Sequence, residues 1–461
     1  MKRGGLLVLG ILAVATLATL VTGSMARSSN RLEVAGAPLG PAVLSWPSIN
    51  PSAVSTSWYC ALAPAAAAGG AESVVVINPS HYRERFQIGA VVGRAMRSYQ
   101  IGPYSSATFP RPRSGGVSIL SKGAVVAEVT LSNGSQVAPC TGSLAADWLA
   151  GGLGTQLGRL AVVQVYNPFP KQAIVDIAGL TATGTVSLPR AQGLIIPPGG
   201  TATVKANAIV PGETGAALQV NTKAGRVAVS ELAGVNSNGV HGLTYEPGQA
   251  APAAASSFLY IATAGLSSLH IDLANPSSAA EQVNLVVRGY RQGASHEAVL
   301  QRKRSGLRVA VPAGATVEVD LTAQATQRSA LAVSVGLSAR QGIYAWASIE
   351  ERSGNATLFH SALPQVLRSS TWVVQCANPG SALLPLSFSA GVPNGPVKVR
   401  RLSAASAGRA PVFATSLVAP GVISVPSLPS GFSLYRVSAP KPIFVSANTT
   451  GSCLSLPVAT G

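Results

Sequence analysis

The sequence predicts an all-β chain of tandem immunoglobulin-like β-sandwich domains behind one N-terminal hydrophobic segment. Three observations predict it. Short runs dominated by β-branched residues, each ended by Gly, Pro, Asn or Ser, recur along the chain, and such runs read as strands. A block that opens on an aromatic residue, Trp58, Trp148, Phe258 or Trp372, recurs four times. Those aromatics are spaced by about 90, 110 and 114 residues, near the ~100 residues of one immunoglobulin-like sandwich. A β-propeller, with each block split into two four-stranded blades, is the alternative. It would need a period of about 45 residues within each block, and none is visible.

The elements follow in order. Residues 1–26 place Met1-Lys2-Arg3 before an uncharged apolar run from Leu6 to Val21, which orients the remainder outside the cytoplasm. A single-pass anchor through residues 5–23 is the first reading. Cleavage at the small-x-small Ser24-Met25-Ala26, giving a secreted chain, is the second. Residues 27–56, with Pro and Ser, read as a linker. The sandwiches are assigned to 57–142, 143–248, 249–352 and 353–461.

Block one carries the runs 73–77, 86–92 and 123–129. Block two states the pattern most clearly: 160–166 ending at Asn167-Pro168, then 173–177, the turn Pro197-Pro198-Gly199-Gly200, and 226–231. Block three repeats it with 269–273 ending at Asn275-Pro276, then 283–287, Pro312-Ala313-Gly314, and 344–350. Two turn types recurring in the same order mark a repeat. In block four Asn378-Pro379 follows Trp372 too soon, so 384–390 takes the equivalent place, followed by 397–400 and the late run 443–447.

Cys60, Cys140, Cys376 and Cys453 are an even count in a chain that reads as exported, where thiols oxidise. Cys60 with Cys140 and Cys376 with Cys453 is the favoured pairing, each stapling a terminal block with a neighbour on one side only. Metal binding is the weaker alternative, because no CxxC or Cys/His pair has ligand spacing.

The net charge is +17, an excess that favours anionic partners. Nucleic acid is not expected, since the bases are scattered rather than banked in one helix or arm. Neither catalytic residues nor a cofactor or metal set is expected. His81, His241, His270, His296 and His360 are isolated, and no G-x-S-x-G elbow occurs. Glu318 and Asp320 share a strand face but read as solvated. Gly152-Leu153-Gly154-Thr155-Gln156-Leu157-Gly158 lacks the spacing of a phosphate loop and reads as a turn. The basic cluster Arg302-Lys303-Arg304 with Arg308, and Lys398 with Arg400-Arg401, are candidates for binding a polyanion. Arg83 with Arg85 and Arg111 with Arg113 form similar pairs. Alternating charges share one strand face, although charged edges also serve to prevent aggregation.

Ser57-Trp58-Tyr59-Cys60, Ala138-Pro139-Cys140 leading to Asp147-Trp148, and Asn167-Pro168-Phe169-Pro170 together resemble an uncharacterised actinobacterial family of membrane-anchored exported proteins. The resemblance implies an envelope location and assigns no active site. It resembles a family whose genes often lie beside envelope glycosyltransferases. The expectation is a non-enzymatic, membrane-tethered structural or interaction protein of the cell envelope, with an envelope protein or an anionic cell-wall polymer as partner. A binding protein for anionic envelope polymers is the first alternative, and an envelope hydrolase or transferase with scattered residues the second.

Overall fold

The structure is a computed structural model, and it describes residues 56–457 except 64–71, 132–136, 238–239, 253–256, 263–265, 291–297, 300–305, 327–331, 354–355, 364–368, 378–382, 390–395, 403–411, 419–420, 427–431 and 448–452. The segment expected to cross the membrane lies outside these residues. Among them no helix is long and apolar enough to cross a membrane. The described chain is all-β, built as several separate sheets with no closed barrel or propeller.

Block one contains β1 (Thr56–Ala61), β2 (Ser73–Asn78), β3 (Glu84–Gly89), β4 (Arg97–Ile101), β5 (Ser105–Pro110), β6 (Gly116–Ser121), β7 (Val126–Thr130) and β8 (Val137–Pro139). They form two four-stranded sheets, β1-β6-β3-β4 and β5-β2-β7-β8. Strands β2 and β7 are buried on both faces because one face meets the opposite sheet and the other a neighbouring block. Trp58 fills the core and donates its indole N–H to the Val125 carbonyl at 2.7 Å.

Block two contains β9 (Asp147–Leu153), β10 (Arg159–Tyr166), β11 (Ala173–Thr181), β12 (Gly184–Ser187), β13 (Leu194–Ile196), β14 (Thr201–Lys205), β15 (Ala216–Ala224), β16 (Ala228–Ser237) and β17 (Val240–Pro247). Its order repeats block one: β9-β15-β11-β12, with β13 also on β11, against β14-β10-β16-β17. Block three contains β18 (Ser257–Ala262), β19 (Leu266–Asn275), β20 (Glu281–Tyr290), β21 (Ala298–Val299), β22 (Leu307–Val311), β23 (Ala315–Asp320), the short helix α1 (Thr322–Thr326), β24 (Ala332–Ala339), β25 (Tyr344–Ser353) and β26 (Ala356–Ala362). It repeats the order again, as β18-β24-β20-β21, with β22 on β20, against β23-β19-β25-β26. With β12 and β13 counted as one position, and likewise β21 and β22, in all three the second strand pairs with the fifth and the third with the sixth, as in an immunoglobulin sandwich, while the first joins the sixth and the seventh joins the second.

Block three extends beyond the boundary at 352 expected from the sequence, because β26 pairs with β25 from Ala347↔Ala362 to Ser353↔Ala356. Ser353-Gly354-Asn355 reads equally as a hairpin turn and as a linker, and only the pairing separates the two.

Block four contains β27 (Ser369–Ala377), β28 (Leu383–Ser389), β29 (Pro396–Leu402), β30 (Val412–Val418), β31 (Gly421–Pro426), β32 (Phe432–Ala447) and β33 (Cys453–Pro457). The long β32 does two jobs. Its first half pairs with β27 and β29, and its last residues pair with β28, so the sixth and seventh strands of the repeat are here one strand serving both sheets.

The Asn-Pro strand ends share one geometry. Asn78, Asn167 and Asn275 are buried at 0%, 1% and 2% exposure. Each amide N–H donates to the carbonyl four residues on, Tyr82 at 2.6 Å, Lys171 at 2.7 Å and Ala279 at 2.8 Å. Each also donates to a later strand end or the residue after it, Gly102, Ile196 or Val311. Its Oδ1 accepts the backbone N–H two residues on, an Asx turn. The sequence marked Asn167-Pro168 and Asn275-Pro276 as the ends of strand runs; the Asn side chain there also clamps three chain segments.

Cys60 and Cys140 form a disulfide that links the two sheets of block one across 80 residues of sequence. Closing a loop of that length removes about 4 kcal/mol of unfolded-state entropy in the chain-entropy treatment. The register sets Cys376 opposite Cys453 on β27 and β33; their side chains lie outside the described residues.

The blocks are fused rather than strung out. Between blocks one and two, the Tyr166 hydroxyl pairs with Ser118 Oγ at 2.8 Å and donates to the Ala90 carbonyl, while Tyr245 Oη donates to the Ala61 carbonyl at 2.8 Å. A Cβ at Gly116 would stand 2.1 Å from the Tyr166 ring, so this close approach requires glycine. Between blocks two and three, β17 and β26 pair in parallel and join two half-sandwiches into one eight-stranded sheet. Block four returns to block one, where Leu434 enters the core cluster containing Trp58 and Leu402 packs against it. Block one therefore has neighbours on both sides, which corrects the expectation that it is a terminal unit. Sequence order gave no sign of this return.

Candidate functional site

The junction of blocks two and three gathers the densest set of ionisable side chains. β9 runs into Gly151-Gly152, and Trp346 on β25 lies over them: a Cβ at Gly151 would meet its ring at 2.6 Å. The glycine run that reads as a turn is thus partly a strand and a seat for an indole. Gly152 also has φ +67°, a backbone region costly for residues with a Cβ.

Beside this contact lies a cavity of about 230 Å³ lined by Gly152, Gly154, Gln156, Arg159, Thr214, Ser268, His270, Glu318, Ser348, Glu350 and Phe359. Arg159 reaches Glu350 at 3.5 Å and sits 5.2 Å above the Phe359 ring. His270 Nδ1 stands 3.6 Å from Glu318. Ser348 Oγ donates to Asp272 at 3.2 Å.

Behind the cavity, Glu231 and Glu246 face each other directly across β16 and β17, with exposures of 1% and 9%. Burial pushes Glu231 well above the usual carboxylate range, and the negative Glu246 and Asp272 add to it. Burial raises Glu246 to about 8. Asp272 rises to about 7, from burial first and then from Glu318, against the opposing Ser348 hydrogen bond and Arg159. Desolvation favours the neutral acid, so burial biases both Glu231 and Glu246 toward the protonated form.

This chemistry is that of a packed polar junction. Ser348 and His270 are cross-strand partners, and the Ser348 hydroxyl donates to Asp272. Glu318 and Asp320, read from the sequence as solvated, are both exposed on β23. Asp320 accepts the Thr322 backbone N–H at 2.8 Å and caps α1, while Glu318 turns to His270. Among the described residues no group of three or more His, Cys, Asp or Glu is arranged to hold a metal ion.

The basic candidates disperse. Arg302, Lys303 and Arg304 lie outside the described residues, and Arg308 is exposed on β22 opposite Asn284. Arg111 pairs at 3.8 Å with Glu72, a buried acid raised to about 7 by its burial against the opposing pull of Arg111. Arg83 and Arg113 lie outside strands. Lys398 and Arg400 do share the exposed face of β29, with Arg401 half-buried on the other. Sequence reasoning missed Arg436, an isolated base on β32 that the register sets directly opposite Arg400.

Residues 118–246, from β6 into β17, match the model of a family of unknown function, DUF5719. The match spans the fused junction of blocks one and two. No curated protein matches the chain. Among solved structures, a Streptomyces avermitilis α-L-rhamnosidase complexed with L-rhamnose aligns at 9% identity over 83% of this chain and 54% of that one, with a TM-score of 0.12. The chain thus spans about half of that enzyme's length, and the score carries no argument about fold or activity.

Proposed function

We propose that the chain is a non-enzymatic structural and interaction protein of the cell envelope, held outside the cytoplasm by residues 5–23. The observation that carries this reading is the fusion of successive sandwiches. A shared eight-stranded sheet and buried hydroxyl-to-carbonyl bonds at the junctions suit a rigid body that holds its outer faces in fixed relation. A chain that only spaced its ends would not need buried junctions, which restrict motion at the expense of side-chain entropy. The Cys60–Cys140 bond supports a location where thiols oxidise.

The test is co-sedimentation of the purified full-length protein with envelope material from its source organism, across a salt series. Retention in the envelope fraction is the expected result. Failure to sediment at low salt, or turnover of an envelope substrate by the purified protein, would overturn the reading.

A further inference from the structure

The four blocks share a topology and differ in charge. From Ser353 to Gly461 the chain contains no Asp or Glu, yet it carries seven Lys or Arg. Every other block contains acids. Block four therefore has no acidic side chain with which to neutralise its own bases.

The strand register concentrates part of this charge. Arg400 on β29 and Arg436 on β32 are direct cross-strand partners, and Lys398 lies two residues along, opposite Ser438. All three basic residues are exposed. Directly opposed positions lie about 5 Å apart and like charges there are destabilising. Arginine cannot relieve the repulsion by losing its proton. Among the described residues none of the three belongs to an ion pair. The next row on the same face is Leu402 with Leu434, which pack against block one. The basic row thus begins where the contact with block one ends.

Resting on the reading of the chain as an envelope interaction protein, we infer that this face of block four binds a linear anionic polysaccharide, with Arg400 and Arg436 straddling its carboxylate or phosphate groups. Guanidinium forks grip such groups bidentately, and charges repeating along a polymer match cations about 7 Å apart along one strand. A membrane surface fits less well: the exposed large apolar residues described, Tyr82, Leu157 and Ile195, lie in blocks one and two. Nucleic acid fits an oxidising location poorly.

The experiment measures binding of the full-length protein to sodium polygalacturonate across a salt series, with dextran, phosphatidylglycerol vesicles and single-stranded DNA as alternative ligands. Arg400→Ser with Arg436→Ser should weaken polygalacturonate binding about tenfold or more, and flatten the dependence of log affinity on log salt by about two. Lysine at both positions should keep the salt slope and lose part of the affinity. Affinity and slope unchanged in the double variant, an equal loss in Arg308→Ser, or tighter binding to vesicles or DNA would each overturn the inference. Envelope sedimentation separates the two levels. If the wild-type protein does not sediment, the functional reading fails; if the double variant sediments like wild type, only this inference fails.

Discussion

Two pairs of like charges face each other across adjacent strands, Glu231 with Glu246 in block two and Arg400 with Arg436 in block four. The same conflict of register meets two solutions. The acids are buried, and the junction settles their repulsion by keeping them protonated, which their raised pKa values express. The arginines are exposed and permanently charged, so solvent, salt or a ligand must settle theirs. A like-charged pair inside a fused junction belongs to the fold's internal chemistry, whereas one on an acid-free surface points outward.

The largest test of this contrast opens the acidic pair to water. Trp346→Ala removes the indole that covers Gly151 beside the buried Glu231, and should cost about 3–5 kcal/mol in denaturant unfolding. Glu246 should then titrate closer to 4.5, shifting the pH dependence of stability downward. A variant with an unchanged pH profile would separate the indole from the carboxyls' dryness.

Next comes pH itself. Glu246 has its pKa raised from 4.5 to about 8 in the folded state. Its contribution is therefore fully present below pH 4.5 and lost as pH rises through 8. At about 1.4 kcal/mol per unit, the loss is on the order of 5 kcal/mol. Thermal melting between pH 5 and 8.5 should fall with rising pH, and Glu246→Gln should flatten the fall. Melting that improves steadily toward pH 8 would contradict the assignment of a neutral pair.

The smallest effect belongs to the arginines. Arg400→Ser should raise stability in low salt by up to about 1 kcal/mol, and the gain should vanish in 1 M salt, where screening is nearly complete. A loss of stability would mean that Arg400 has a partner within the fold.

Much of this was legible in the sequence, for a physical reason. Runs such as 160–166 and 269–273 are short and apolar and end in turn residues, a signal carried within a few residues, and the ordered turns around Asn167-Pro168 and Pro197–Gly200 made four sandwiches the natural division. Cys60 and Cys140 could be paired because both lie at the ends of one block. What escaped depends on contacts across tens to hundreds of residues. Gly152 looks like part of a turn until Trp346 is laid on it. Glu231 and Glu246 look like ordinary surface acids until the β16–β17 register and the covering third block bury them. Arg436 stands alone in its segment, and only pairing gives it a neighbour. Arg83 with Arg85, spaced as a strand pair, failed because Arg83 lies just before β3.

The return of block four to block one has a consequence for how the chain is made. Strands β1 to β8 end at Pro139, but Leu434, which enters the same core cluster, emerges about 300 residues later. Contacts of such long sequence separation form late, because the intervening chain must first be brought together, so the first sandwich folds with an apolar seat uncovered. Until Leu434 arrives, the Cys60–Cys140 bond holds the two sheets of that sandwich together, so the covalent link and the late apolar contact act on the same block in succession.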